Sequence, residues 1–106
     1  MEVDPADFIA VLRAGSPAEL LVSGDLDMAS VDQFAAAVDE LLATEPEHVT
    51  LDLTGVGFLD SAGIKGMVKL ANRCRGIGAE LTTVHASTQV RRVLELTKLT
   101  ELFDLR

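Results

Sequence analysis

The stretch from Thr54 to Ile64 places a carboxylate, Asp60, directly before a hydroxyl, Ser61. The hydrophobic pattern around this pair predicts that a strand ends before it and that a helix begins at it. The first amides of a helix have no intrahelical acceptor and carry the positive end of the helix dipole, so they stabilise an anion such as a phosphate. A hydroxyl on a glycine-flanked loop is also within reach of a kinase. Ser61 is therefore a candidate phosphorylation site.

Two other roles are open to the same pair. Asp and Ser are favoured at helix N-caps, so Asp60 and Ser61 could do no more than begin the helix, although capping does not prevent phosphorylation. Ser61 could instead be the nucleophile of a small serine hydrolase. The hydrolase elbow is Gly-x-Ser-x-Gly, however, and Leu59 occupies the position of its first glycine. The base would have to be His48 or His85, and only a triad with His85 is geometrically conceivable.

A second group of carboxylates lies in the segment Ser23-Gly24-Asp25-Leu26-Asp27-Met28, directly after a predicted strand and before the first predicted helix. Asp25 and Asp27 would form an acidic rim beside Ser61 if the two loops lie at the same end of the sheet. A helical crossover between the flanking strands favours this arrangement because it makes them parallel. Alternatively, the segment is a turn whose carboxylates are solvated. Two Asp residues alone are weak evidence for a metal site.

The sequence predicts no cofactor and no metal centre. The segment Gly55-Val56-Gly57 lacks the Gly-Lys-Ser/Thr ending of a P-loop and the third glycine of a dinucleotide-binding loop. Cys74 is the only cysteine, so it cannot form an intramolecular disulfide, and with two distant histidines it offers no metal-ligand spacing. We interpret it as a small apolar residue on a helix.

Composition and charge restrict the class of partner. The 106 residues, 48% of them hydrophobic and 25% charged, indicate one globular domain over residues 1–106. Acidic residues outnumber basic ones 17 to 9, and the formal net charge of −8 repels nucleic acid and anionic membrane surfaces but attracts a basic protein. No apolar run approaches the ~20 residues that span a bilayer, and residues 1–5 do not resemble a signal peptide. We therefore expect a cytoplasmic protein.

Hydrophobic periodicity predicts the element order β-β-α-β-α-β-α, followed by a short apolar terminal piece. The strands are expected around residues 8–13 and 20–22 and over residues 48–53 and 79–84. A Gly/Pro turn joins the first two strands into a hairpin, and the later alternation of strands and helices implies parallel crossovers. The predicted fold class is α/β, a small mixed β-sheet packed with α-helices. Periodicity leaves open whether the helices cover one face or both.

Three helices have recognisable ends in the sequence. The first begins at Ser30, which matches a capping box with Gln33, and Pro46 prevents it from continuing. The second, which starts near Ser61, is stopped by the glycines within residues 76–78. Ser87 is the predicted cap of the third helix.

Several segments resemble the STAS-domain anti-sigma-factor antagonists of bacteria. They are Gly24-Asp25-Leu26-Asp27, Leu51-Asp52-Leu53-Thr54-Gly55-Val56 and Phe58-Leu59-Asp60-Ser61-Ala62-Gly63-Ile64. The segment Arg91–Thr97 also looks like the third helix of that family. The spacing and the element order match over nearly the whole chain, so the resemblance implies the STAS fold.

The resemblance also implies a mechanism and a set of partners. In that family the serine after the aspartate accepts the phosphate, which maps onto Ser61. The unphosphorylated antagonist binds an anti-sigma factor that is also an ATPase-type serine kinase, and this binding frees the sigma factor. Phosphorylation ends the binding, and a separate protein phosphatase restores it. The implied partner-binding residues are Asp25, Asp27, Asp60, Ala62, Gly63 and Lys65.

The chain departs from the family pattern in two places. Lys65 stands where the family often has a small residue, so a cation lies near the phosphoacceptor, where it can pair with the phosphate or with Asp60, or lie along solvent. The chain ends at Arg106, which leaves little room for the terminal helix that many relatives carry. An alternative shares the fold without the switch: a constitutive STAS interaction subunit of a transport or stress-signalling assembly.

Overall fold

Seven helices and strands follow the predicted order in the computed structural model, which describes residues 7–106. Residues 1–6, which belong to the predicted single domain, lie outside the described residues. The strands are β1 (Ile9–Arg13), β2 (Ala18–Ser23), β3 (His48–Gly55) and β4 (Glu80–Val84). The helices are α1 (Val31–Leu42), α2 (Ser61–Gly76) and α3 (Thr88–Leu96).

The strands form one mixed sheet in the order β1-β2-β3-β4. β1 and β2 form an antiparallel hairpin, whereas β2 with β3 and β3 with β4 are parallel. Helical crossovers connect the parallel pairs, which confirms the predicted mixed sheet. Because parallel strands point the same way, the loops that follow β2, β3 and β4 all lie at one edge of the sheet, which we call the C-terminal edge.

The core lies between the sheet and one layer of helices. α1 and α2 contact each other, α1 also contacts β1 and β2, and α2 contacts β4. Alternate side chains of β2 and β3, such as Leu20 and Leu51, are fully buried, as is Phe34 of α1. The opposite face of the sheet leaves Ile9 and Val11 of β1 exposed. α1 and α2 therefore occupy a single face, a point that periodicity leaves open.

The predicted capping box at the start of α1 is wrong. Ser30 has helical backbone angles, φ −114° and ψ −10°, and its side chain caps no amide of α1. An N-cap needs an extended backbone to aim its oxygen at the next turn. The Ser30 hydroxyl instead points back, donates to the Asp25 carbonyl at 2.7 Å and accepts from the Asp27 amide at 3.0 Å. Ser30 therefore organises the loop before α1.

The ends of the later elements agree with the sequence. Gly78 follows α2 with a φ of +74°, the left-handed conformation that terminates many helices. The Ser87 hydroxyl accepts a hydrogen bond from the Val90 amide at 3.1 Å and so caps α3. In the apolar terminal piece, Phe103 is fully buried and Leu105 forms a bridge to β4.

We expect Ser87→Ala to lower the free energy of unfolding by about 1 kcal/mol, since it removes the acceptor of an α3 amide. For a domain of this size each kcal/mol lowers Tm by about 4–8 °C. Thermal unfolding followed by circular dichroism checks this. Thr88→Ala is the matched control: Thr88 is exposed, has no side-chain hydrogen bond within residues 7–106, and should change stability by less than about 0.5 kcal/mol. Equal effects of the two variants would contradict the capping role.

Candidate functional site

Two loops meet at the C-terminal edge of the sheet, the one between β2 and α1 and the one between β3 and α2. The Gly24 amide donates to the Gly55 carbonyl at 2.9 Å, and the Leu26 amide donates to the Phe58 carbonyl at 3.0 Å. Farther along, the Asp60 amide donates to the Leu26 carbonyl at 3.4 Å. The two loops therefore lie at the same end of the sheet, which is the arrangement that an acidic rim beside Ser61 requires.

Asp60 fixes the start of α2 against the neighbouring loop. Its backbone is extended, and its carboxylate Oδ1 accepts from the Gly63 amide at 2.8 Å. The second oxygen, Oδ2, accepts from the Met28 amide of the other loop at 3.2 Å. Both oxygens are therefore engaged, and this partly buried side chain joins the two loops as well as capping the helix.

Ser61 is the first residue of α2 and is exposed. Within residues 7–106 its hydroxyl takes part in no hydrogen bond, since the capping of α2 is done by Asp60. The amides of the first helical turn lack intrahelical acceptors and favour negative charge nearby. The structure therefore presents a free hydroxyl at a position that tolerates an added anion.

The two carboxylates of the predicted rim, Asp25 and Asp27, differ in their surroundings. Asp27 Oδ1 accepts from the amides of Ala29 and Ser30 at 3.0 and 3.2 Å, so this side chain shapes its own loop. The Asp25 carboxylate has no hydrogen-bond partner in the described part of the chain, although its carbonyl accepts from the Ser30 hydroxyl. Both residues are partly buried. Asp25 is thus the rim carboxylate that remains available to a partner.

The predicted residues on α2 lie at different depths. Lys65 is exposed one helical turn after Ser61, while Ala62 is partly buried. Gly63 is buried, and a Cβ atom added there would lie 2.1 Å from the Leu26 carbonyl oxygen. Gly63 therefore allows α2 to pack directly against the loop after β2. Its contact with a partner, like that of the other residues, stays a prediction.

Two large apolar side chains at this edge, those of Met28 and Phe58, are not among the partner-binding residues predicted from the sequence. Met28 is 78% exposed in the loop after β2, and Phe58 is 53% exposed in the loop after β3. A groove of about 360 Å³, lined in part by Val90 and Val93 of α3, lies beside Phe58. Exposed apolar groups that cluster next to polar ones are typical of protein-binding surfaces. The signal in the sequence is a large apolar residue on a loop with glycine, at Gly57-Phe58.

The hydrolase alternative finds little support in this geometry. His48 lies at the opposite end of β3, with its Nδ1 3.3 Å from a carboxylate oxygen of Glu80. His85 is exposed just after β4, at the same edge as Ser61, but the two side chains share no hydrogen bond. A nucleophile and its base need such a contact or one close to it.

The remaining polar chemistry of the described residues is sparse. No cluster of three metal-ligating side chains occurs within residues 7–106. Cys74 lies buried on α2, which agrees with its interpretation as a small apolar residue, and burial raises the pKa of its thiol. Among the described helices, none is long and apolar enough to cross a membrane.

The family model described as "Mlab, STAS domain" matches residues 9–105 of this chain. A STAS-domain containing protein of Pseudomonas aeruginosa is 23% identical over 91 residues, which cover 86% of this chain and 89% of that protein. The anti-sigma-F factor antagonist RsfB of Mycobacterium tuberculosis is 27% identical over 97 residues, covering 92% of this chain and 79% of RsfB.

Solved structures agree with these matches. A crystal structure of an anti-sigma factor antagonist from Mycobacterium paratuberculosis superposes with a TM-score of 0.86 at 25% identity, covering 96% of this chain and 87% of that one. The unphosphorylated form of the antagonist SpoIIAA superposes with a TM-score of 0.76 at 16% identity, covering 94% of this chain and 86% of SpoIIAA. At 16% identity, the match to SpoIIAA shows the fold alone.

Proposed function

This chain belongs to the STAS domain family, and we propose that it acts there as an anti-sigma-factor antagonist whose binding is switched by phosphorylation of Ser61. The names of the relative RsfB and of the superposed mycobacterial protein describe both as anti-sigma factor antagonists, which supports the first part of the proposal. The observation that carries the proposal is the exposed, unbonded hydroxyl of Ser61 at the first residue of α2. At the same edge, the Asp25 carboxylate offers a polar contact to a partner protein, and the exposed side chains of Met28 and Phe58 offer apolar contacts.

The unphosphorylated protein binds an anti-sigma factor that is also an ATPase-type serine kinase, and the sigma factor is released. Binding ends when the kinase transfers the γ-phosphoryl group of ATP to the Ser61 hydroxyl. A bond forms between the Ser61 oxygen and the γ-phosphorus as the bond between that phosphorus and the ADP oxygen breaks, and the hydroxyl proton passes to a base of the kinase and then to water. A protein phosphatase later hydrolyses the phosphoserine with water. We place these steps in the cytoplasm, where the sigma factor acts.

Electrostatics explains why one phosphate suffices. The group adds about −1.5 to −2 charges, which the start of a helix tolerates, so the domain stays folded. In the complex the same charge loses its hydration and faces the fixed carboxylate of Asp60. Because ~1.4 kcal/mol changes an affinity tenfold, a few kcal/mol of repulsion and desolvation separate a tight complex from a negligible one.

The direct test uses the purified protein, ATP and each ATPase-type anti-sigma factor of the source organism. We expect one of these kinases to add a single phosphate, located on Ser61 by peptide mass spectrometry, and we expect the complex to dissociate as it is added. Ser61→Ala should remain unmodified. The control is Ser16→Ala, which changes an exposed serine in the turn between β1 and β2, at the other end of the sheet, and should leave phosphorylation unchanged.

The other candidate functions predict different results in this assay. Stable binding without any phosphate transfer would favour the constitutive interaction subunit. Ester hydrolysis that is lost in both Ser61→Ala and His85→Ala would favour the serine hydrolase. A phosphate on a residue other than Ser61 would contradict the proposed switch.

A further inference from the structure

The basic residues of the chain are unevenly distributed. α2 contains four of the nine basic residues and none of the seventeen acidic ones, although the formal net charge of the chain is −8. Three of the four, Lys65, Lys69 and Arg73, follow Ser61 at successive intervals of four residues and are exposed. Residues at this spacing are neighbours on a helix surface. We call these three residues the basic stripe.

The stability of α2 does not explain the basic stripe. Like charges four residues apart repel each other, and only Arg73 of the three lies in the last turn of α2, where the helix dipole stabilises a cation. Arg73 forms an ion pair with Asp39 of α1. Lys65 and Lys69, in contrast, have no ion pair within residues 7–106. Among the described residues, two cations of this acidic protein are thus left without an ion-pair partner.

A groove runs between α1 and α2 directly beside the basic stripe. Its volume is about 260 Å³, and its apolar lining consists of Val31, Ala35, Val38, Ala62, Gly66 and Leu70. The two helices approach closely, since a Cβ atom on Gly66 would lie 2.8 Å from Cγ2 of Val31. Ala35, Ala62 and Gly66 leave space in the groove, and the stripe residues with Asp32 form its polar margin.

We propose that this groove and the basic stripe bind an acidic amphipathic helix of the anti-sigma factor. Apolar side chains of that helix enter the groove, and its carboxylates pair with Lys65 and Lys69. A helix that lays its apolar face into a hydrophobic groove is a recurrent mode of recognition. The cations of the basic stripe complement the carboxylates of an acidic protein segment, and the apolar lining of the groove fits the apolar face of the same helix.

The proposal rests on the proposed function, because the groove begins at Ala62 and Lys65, next to Ser61. It adds a second electrostatic pole to the docking surface. The Asp25 carboxylate in the loop after β2 attracts basic groups, and the basic stripe along α2 attracts acidic ones. A partner with both complementary poles binds in one orientation, which is how charge patterns give specificity.

A pair of charge reversals on α2 tests the groove. We expect Lys69→Glu to weaken binding of the unphosphorylated protein to its anti-sigma factor at least about tenfold, because one ion pair becomes a repulsion. Arg75→Glu makes the same charge change at an exposed position of the same helix but outside the groove, and should weaken binding less than about twofold. Circular dichroism of each variant verifies the fold, and titration calorimetry measures the affinity.

Carbodiimide cross-linking gives an independent readout, since it joins only amines and carboxylates in direct contact. We expect cross-links from Lys65 or Lys69 to carboxylates of one helix of the partner. Lys69→Arg, which keeps the charge but lacks the reactive amine, should retain affinity and lose the cross-link at that position.

Each remaining outcome identifies which proposal fails. If Lys69→Glu leaves the affinity unchanged while Ser61→Asp still weakens the complex, the proposed helix contact at the groove is wrong and the proposed switch at Ser61 is retained. A loss in Lys69→Glu without one in Ser61→Asp leaves the groove and overturns the switch. Equal losses in Lys69→Glu and Arg75→Glu indicate long-range attraction only and overturn the groove. Failure of the unaltered chain to bind any ATPase-type anti-sigma factor overturns both.

Discussion

Ser61→Asp should weaken the complex with the anti-sigma factor by about 100-fold or more, whereas Ser61→Ala should change the affinity by less than about threefold. The aspartate places a permanent negative charge beside Asp60, whose carboxylate is held in place by two amides. A partner that covers this pair must remove water from both charges. The alanine removes only an exposed hydroxyl that makes no hydrogen bond within residues 7–106.

Titration calorimetry of both variants at one ionic strength measures the two affinities. A 100-fold loss corresponds to about 2.7 kcal/mol, which is well within the resolution of the method. The thermal stability of Ser61→Asp serves as the control, because an acid in the first turn of a helix is neutral or favourable to folding. Equal affinities of the aspartate and alanine variants would show that charge at this position does not control binding.

Gly63→Ala should lower the free energy of unfolding by about 1–3 kcal/mol, the usual cost of overpacking. The added Cβ atom would lie 2.1 Å from the Leu26 carbonyl oxygen and 2.8 Å from a methyl carbon of Leu59, so the loop after β2 or the whole of α2 must move. In the same helix, a Cβ atom on Gly76 would meet nothing within 4 Å. Gly76→Ala should therefore stabilise the protein, by up to about 1 kcal/mol, since alanine is the better helix former.

Urea denaturation of the two variants provides the comparison, with opposite signs of the stability change as the expected result. The displacement should also reach the site, because Leu26 and Asp60 are hydrogen bonded to each other. We expect Gly63→Ala, but not Gly76→Ala, to weaken binding of the anti-sigma factor. Similar stability of the two variants would contradict the close approach of α2 to the loop.

Much of the fold is predictable from the sequence because local patterns determine it. The stripe of apolar residues in α1 and the alternation in β3 reflect periods that the backbone geometry imposes. The parallel pairing of β2 with β3 follows from the helical crossover between them, and with it the proximity of the two site loops. Ser87 and the Asp60-Ser61 pair are recognisable as candidate caps because they directly precede helical patterns, and the structure assigns the cap of α2 to Asp60.

Features that depend on tertiary packing were not predictable in this way. Ser30 has the right residue type for a cap, but its backbone follows the needs of the preceding loop and its hydroxyl turns toward Asp25. The role of Gly63 depends on how closely α2 approaches Leu26, a residue far away in sequence. Lys65 is recognisable in the sequence as a departure from the family pattern. Its place beside an apolar groove was not predictable, because the groove forms only when α1 packs against α2.

The double hydrogen bonding of Asp60 has a consequence for how a signal leaves this domain. The phosphoryl group proposed for Ser61 would meet the Asp60 carboxylate, which cannot rotate away without breaking its hydrogen bonds to the amides of Gly63 and Met28. The Asp60 carboxylate would therefore stay in place, and the phosphate would turn away from it toward solvent. The modified and unmodified chains should thus be nearly superimposable, with the energetic penalty borne almost wholly by whichever molecule occupies that surface.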